Sequence, residues 1–379
     1  MAGGSGSRRR RWALGLGVLL ALMTGLAANA GGFDTESAPS AIAVPTAYPG
    51  VTYYVSPAGS DSNSGTSPSQ SWRTVQRVNS AALAPGDAVL FQGGATFSDN
   101  TLMPSVSGAG NDPIVYGSYG SGQATLTQGV WFPSENYLTF DNLKLGTQQG
   151  LQGGNNSGRT ANHIVIQGCT IELSASNPRV GIYSNGNDWT IAGNTIQDIG
   201  NSGMLLNGDT YTVAGNTIDH VGLDPAITWA KHGIYLMASN ATITQNRITN
   251  FQTAGISPRF RDSTITHNYI SGGQIGIAFY QYDPIAGTSR WTDNSIINTT
   301  DAGVYVNGGS GDRHPTQENF NIENNTIQPS TGQIMNLEHT SGSYDFGRAD
   351  SAPRLGAGAA RRPHTAGRTH SVKVAAPGP

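Results

Sequence analysis

The chain of 379 residues contains a single cysteine, Cys169, so no disulfide can form within it and a disulfide-stapled scaffold is excluded. Charged residues make up 12% of the sequence, about half the usual share, which argues against disorder driven by charge. The 51 glycines follow no three-residue period, and collagen is excluded with it. Basic residues are scarcest where they would matter for nucleic acid. Arg8, Arg9, Arg10 and Arg11 all precede Ala30, and Arg348, Arg354, Arg361, Arg362, Arg368 and Lys373 lie after Gly347. The body between, residues 31–347, holds 11 basic and 23 acidic residues, a net charge of −12. Such a body repels a phosphate backbone, whose binding depends on Lys and Arg displacing counterions. The length allows two domains or one large β architecture.

No long hydrophobic run occurs either. The apolar stretch Trp12 to Met23 is short against the ~20 residues a spanning helix needs. Four arginines precede it and the small-residue site Ala28-Asn29-Ala30 follows, the three parts of a secretory signal. Residues 1–30 are therefore expected to be a signal peptide and 31–50 a linker. The expected location is secreted or extracytoplasmic, with no stable membrane insertion after cleavage.

What the sequence has in abundance is repetition. The phrase Trp189-Thr-Ile-Ala-Gly-Asn194-Thr-Ile196 returns as Tyr211-Thr-Val-Ala-Gly-Asn216-Thr-Ile218, then around Asn246 and Asn268, with weaker copies at Asn294, Asn325, Cys169 and Asp141. Three residues before each of these slots stand Leu138, Ile166, Ile191, Val213, Ile243, Ile265, Trp291 and Ile322; two after stand Leu143, Ile171, Ile196, Ile218, Ile248, Ile270, Ile296 and Ile327. All are apolar. Between slots a second phrase recurs, Gly followed by a mostly apolar stretch, beginning at Gly181, Gly203, Gly233, Gly255, Gly276 and Gly303. Short β-branched segments separated by turn residues read as strands. A repeat longer than about 20 residues and built only of such strands implies a coil in which each turn pairs with the next. The isoleucines then stack about 4.8 Å apart in an internal column, and the asparagines form an inward ladder. Cys169, in the same slot, is expected to be a buried structural thiol. The expected fold is all-β, a right-handed parallel β-helix (solenoid) with an N-terminal cap segment and a disordered basic C-terminal tail. Residues 51–128 would form the cap and first rungs, 129–340 the remaining rungs, and 341–379 the tail.

The segment Tyr53-Tyr-Val-Ser-Pro-Ala-Gly-Ser-Asp-Ser-Asn-Ser-Gly-Thr66, followed by Trp72-Arg-Thr-Val75, Leu83-Ala-Pro-Gly-Asp-Ala-Val-Leu-Phe91 and Asp112-Pro-Ile-Val-Tyr-Gly-Ser-Tyr-Gly120, resembles the opening segment of secreted pectate-lyase-like β-helix proteins. The resemblance covers roughly residues 51–340. It implies the fold and an extracellular polysaccharide partner, but not a single activity: lyases, hydrolases, epimerases and non-catalytic surface proteins share this architecture.

In a solenoid the core is structural, so function falls to outward columns and inserted loops. The stretch from Asn216 to Gly233 is roughly twice as long as the stretches from Asn194 to Gly203, Asn246 to Gly255 and Asn268 to Gly276, and longer than that from Cys169 to Gly181. The insertion brings Asp224, Trp229, Lys231 and His232 together. On the outward positions of the Gly strands, Arg259 and Arg261 neighbour Tyr280 and Tyr282 on the next rung and Tyr235 on the previous one. Aromatic faces beside guanidinium groups suit an acidic sugar, the ring stacking and Arg clamping the carboxylate; they also suit a plain cation–π pair covering the sheet.

Eliminative cleavage of a uronate needs a cation to neutralise the carboxylate and a base to take the C5 proton. Lys231, His232 and Arg259 are the catalytic candidates, and Tyr235, Arg261, Tyr280, Tyr282 and Trp229 the substrate-binding ones. Lys with Arg is similar to the set of β-helix alginate and chondroitin lyases, which implies calcium as a possible cofactor, yet the sequence shows no acidic cluster for it. Lys231 and Arg259 are offset by six residues along the strand direction, up to ~20 Å. A hydrolase would instead use two carboxylates, with Asp219, Asp224, Asp283 and Asp301 as candidates, Asp219 and Asp301 being expected in turns. A non-catalytic carbohydrate-binding scaffold is the remaining alternative. A monomer is expected.

Overall fold

Parallel pairing of short β-branched segments satisfies every strand's backbone groups only if the chain coils, because neighbouring parallel strands need a crossover between them. The computed structural model shows such a coil. It describes residues 48–155, 157–228, 231–260, 262–280, 287–307, 319–338, 343–345 and 371–373. The expected signal peptide lies outside the described residues.

The described residues form a right-handed parallel β-helix of about eight turns. Each full turn has three sides. In the rung of Asn216, Met204–Ala214 forms the first two, bent at Thr210, and Thr217–Val221 forms the third. The first two sides belong to one 19-stranded sheet and the third to a 10-stranded sheet. The corners are single residues in the left-handed region, stacked in columns: Tyr137, His163, Asp188, Thr210, Asn240 and Asp262 at the first corner, and Asp198, His220, Asn250 and Asn298 at another. Asn and Asp recur there because a short polar side chain tolerates positive φ better than most.

The isoleucine column is present. Ile171 pairs with Ile196, Ile196 with Ile218, Ile218 with Ile248, Ile248 with Ile270, Ile270 with Ile296 and Ile296 with Ile327. All are buried, as are the residues three before each slot. One register expectation is corrected. Ile166 pairs with Phe140 and Ile171 with Leu145, so the slot level with Cys169 is Leu143 and not Asp141. A shift of two residues leaves the same side chains facing inward, which is why hydrophobic pattern alone could not detect it.

The recurring glycines have a steric reason that the pattern did not supply. A Cβ on Gly181, Gly203 or Gly233 would come within 3.0, 2.9 and 2.6 Å of the γ-methyl of Ile196, Ile218 and Ile248, on the third side of the same turn. The isoleucine fills the space that a side chain on the first side would need.

The asparagine ladder is fully bonded. Asn216 Oδ1 accepts from both the backbone N–H and the Nδ2 of Asn194, each at 2.9 Å, while Asn216 Nδ2 donates to Ile191 O and to Asn246 Oδ1 at 2.9 Å. The pattern repeats through Asn246, Asn268 and Asn294 to Asn325. Cys169 continues it: its backbone N–H donates to Asn194 Oδ1, its Sγ reaches Gln167 O at 3.4 Å, and burial pushes the thiol pKa up to about 12. It is a buried structural thiol.

At the N-terminal end Trp72 is buried and stacked on Tyr53 at 4.6 Å, and the short helix Val75–Asn79, capped by Thr74, adds Val75 and Val78 to the core. At the other end, most of the expected disordered tail lies outside the described residues; its two described segments, Ser343–Asp345 and Ser371–Lys373, pair antiparallel.

Asn216→Ala should destabilise the protein by about 2–3 kcal/mol, because it leaves the buried Asn194 N–H and Ile191 carbonyl without these partners. Cys169→Asn should be tolerated with far less change, since Asn is the residue the slot accepts elsewhere. Denaturant midpoints of the two variants check both.

Candidate functional site

The first side of the coil carries its outward residues in register. Tyr183 lies beside Leu205, Leu205 beside Tyr235, and Tyr235 beside Ser257. Two residues further along stand Asn185, Asn207 and Met237. In the next turns Arg259 follows, its backbone N–H bonded to Leu236 O, then Tyr280 beside Asn307.

Arg259 lies between two aromatic rings. Its guanidinium carbon is 5.0 Å from the centroid of Tyr235 and 4.4 Å from that of Tyr280. Tyr280 in turn meets Tyr305 at 5.1 Å, and Asn307 Nδ2 donates to the Tyr305 hydroxyl at 2.8 Å. Beneath Tyr280 and Tyr305 a separate small apolar cluster, Ala254, Ile275, Ala278 and Ala302, sits apart from the main core. Small residues there let the tyrosine rings lie against the sheet, and the rings then hold the arginine. Three residues from three different turns, distant in the sequence, thus form one patch.

His232 stands behind this patch. It is 2% exposed, its ring is 4.9 Å from that of Tyr235, and its backbone N–H donates to Ser202 Oγ. Its buried Nδ1 has no hydrogen-bond partner. Burial, with the nearby positive charge of Arg259, pulls its pKa down to about 3. It is a neutral imidazole at ordinary pH. Tyr235, although on an outward position, is only 6% exposed.

Lys231 is half-buried at the end of the insertion, and its carbonyl accepts from Thr253 N–H. The backbone therefore keeps the six-residue offset between Lys231 and Arg259. The two contacts from His232 to Tyr235 and from Tyr235 to Arg259 nevertheless connect the insertion's end to the arginine. The insertion begins by bonding to the previous turn: Gly222 and Leu223 donate to Ile199 O, and Asp224 N–H donates to Gly200 O. Trp229, Arg261 and Tyr282 lie outside the described residues.

The hydrolase candidates are scattered. Asp224 caps its own turn, its Oδ1 accepting from Ala226 N–H at 2.9 Å. Asp219 lies in the strand Thr217–Val221, not in a turn, on the third side of the coil. Burial works to raise its pKa, but hydrogen bonds from Thr249 and Asn250, with the neighbouring His220, outweigh it and hold the carboxyl below its usual value. Asp301 is exposed, just before the strand Ala302–Asn307, and Asp283 lies outside the described residues. Among the described residues no group of three or more His, Cys, Asp or Glu side chains is placed to hold a metal ion. No helix among them is long and apolar enough to cross a membrane.

The family described as "Right handed beta helix region" matches residues 180–347. A lacto-N-biosidase of Bifidobacterium longum subsp. longum is 38% identical over 112 residues, a stretch that spans 28% of this chain and 7% of that protein. Among solved structures, a GH136 lacto-N-biosidase from Eubacterium ramulus is similar with a TM-score of 0.54 at 15% identity, covering 79% of this chain and 67% of its own. An alginate lyase from a Paenibacillus species gives 0.53 at 17% identity, covering 70% and 97%. The A-module of a mannuronan C-5 epimerase from Azotobacter vinelandii gives 0.52 at 13%, covering 79% and 84%. The chain is thus a right-handed parallel β-helix, the architecture on which these carbohydrate-active proteins are built.

A histidine buried neutral binds no proton in the folded protein but does so in the unfolded chain below about pH 6.5. Stability should therefore fall as pH drops from about 6.5 toward 3, by at most about 1.4 kcal/mol per pH unit from this group. In His232→Gln that limb of the stability profile should flatten, as read from urea midpoints at pH 4, 5 and 6.5.

Proposed function

We propose that the protein cleaves an extracellular polysaccharide containing uronate residues, by β-elimination on the outward face of the first side. The observation that carries this reading is Arg259 stacked between Tyr235 and Tyr280. In an acidic body a fixed guanidinium flanked by aromatic rings supplies the charge and the planar donors that a sugar carboxylate needs. Neutralising that carboxylate makes the C5 proton acidic. A base removes the proton, its electron pair forms the C4=C5 double bond, the C4–O bond breaks, and the departing oxygen takes up a proton.

Arg259 is the clamp in this scheme, and Tyr280 borders the sugar with it. Lys231 keeps its six-residue offset from Arg259, too far to take the C5 proton of the same sugar, so Tyr235, whose ring touches Arg259, takes the place of proton acceptor in the scheme. His232 has too low a proton affinity for that task and acts as a positioning residue, holding the Tyr235 ring against Arg259. Trp229, Arg261 and Tyr282 are assigned to substrate binding by their place in the sequence. The protein works outside the cell after export by its N-terminal signal, as a monomer.

Glycoside hydrolysis is the second reading, favoured by the stretch that is 38% identical to a lacto-N-biosidase. Incubation with a panel of polyuronates, with and without calcium, separates the two. New ultraviolet absorbance from unsaturated uronate is the expected result, and Arg259→Ala should lower kcat/KM on the order of 100-fold, as loss of one charge-stabilising donor does. Tyr235→Phe should abolish the absorbance while leaving substrate binding intact, whereas Lys231→Ala should leave the absorbance in place. New reducing ends without absorbance would replace elimination by hydrolysis, and no product from any glycan would leave a carbohydrate-binding scaffold.

A further inference from the structure

The first corner of the coil, away from the Arg259 patch, holds a cleft of about 350 Å³ lined by Asn136, Tyr137, Asn162, His163, Asn187 and Asp188. Its construction is regular. Asn136 Oδ1 accepts from both the backbone N–H and the Nδ2 of Asn162, at 2.7 and 3.0 Å, and Asn162 Oδ1 accepts from Asn187 N–H at 2.9 Å. This second, outer ladder fixes the positions of Tyr137, His163 and Asp188, the residue after each asparagine. The rings of Tyr137 and His163 stack at 4.4 Å, and His163 Nδ1 lies 3.5 Å from an Asp188 carboxylate oxygen.

All three of these residues sit at positive φ, at 55°, 57° and 58°. Later turns place Thr210, Asn240 and Asp262 at the same corner. Of these the tyrosine is the costlier choice, since asparagine, aspartate and histidine are all favoured at positive φ. The ladder uses the acceptors of Asn136 and Asn162. The Tyr137 hydroxyl, His163 Nε2 and the Asn187 side-chain amide make no hydrogen bond among the described residues. Donors and acceptors thus alternate along a groove with an aromatic wall, the combination that recognises sugar hydroxyls. The lining contains one carboxylate and no Lys or Arg, so it repels a uronate.

We infer that this corner cleft is a subsite for an uncharged sugar residue, a hexose or an N-acetylated amino sugar. Asp188 and Arg259 lie three turns apart, about 14 Å along the axis. Taken with the carboxylate clamp proposed for Arg259, on which this part rests, the two sites select a mixed glycan in which acidic and uncharged sugars occur on one chain.

The test is ligand-observed NMR with N-acetylglucosamine and galactose as uncharged probes and galacturonate as the acidic one. Both uncharged probes, or one of them, should bind the native protein in the millimolar range. His163→Asn and Asp188→Asn should weaken that binding at least tenfold without changing the melting temperature greatly, because Asn suits positive φ. Galacturonate binding should be indifferent to these two variants and lost in Arg259→Ala. The inference is overturned if neither uncharged probe binds, or if both corner variants bind as the native protein does. If the corner variants behave as expected while Arg259→Ala changes nothing, the cleft stands and the uronate reading of the Arg259 patch fails.

Discussion

From Cys169 to Asn325 each turn of this coil is locked to the next by one asparagine amide. An asparagine in the inner ladder has two donor hydrogens and an acceptor oxygen to satisfy away from water, and the turns above and below supply the partners. Leaving such groups unpaired is costly in a low-dielectric interior, so the turns cannot slide past one another by a residue. The isoleucine column adds buried apolar surface but is less selective, since a slip of two residues keeps it inside. Hydrophobic burial holds the solenoid together, and the amide ladder sets its register.

That division of labour frees the outer surface. Because each inward position is fixed by its neighbours within the stack, outward positions vary without cost to the core. The first side uses this freedom to assemble Tyr235, Arg259, Tyr280 and Tyr305 from successive turns. The first corner uses it for Tyr137, His163 and Asp188. In both places a repeating backbone brings residues a full turn apart in sequence into adjacent rows, and chemistry follows from which side chain each turn presents.

The insertion before Gly233 illustrates how the two levels interact. It leaves the coil after Val221, bonds at once to the preceding turn through Gly222, Leu223 and Asp224, and returns at His232. Its acid serves the loop's own turn. Its histidine is turned inward behind Tyr235, so the residue that looked most like a proton carrier is buried. A loop rich in reactive residue types thus contributes at least two of them to its own anchoring.

The strands, the inner columns, the buried thiol and the closeness of Arg259 to Tyr235 and Tyr280 were legible in the sequence, because a sustained repeat converts position directly into height along an axis. The slot at Asp141 was misplaced because alternation is blind to a shift of two. The outer ladder of Asn136, Asn162 and Asn187 is not legible in the hydrophobic pattern, although its spacing follows the repeat; polar side chains at a corner leave no hydrophobic trace. What the sequence by itself determined was the stacking, since apolar and amide columns have only one way to be buried together. Only the tertiary structure decided exposure, charge state and contact. Whether His232 faces water or the back of a tyrosine, and whether Asp219 shares a side with Arg259, depends on the angles between three sides of a coil, which no linear spacing records.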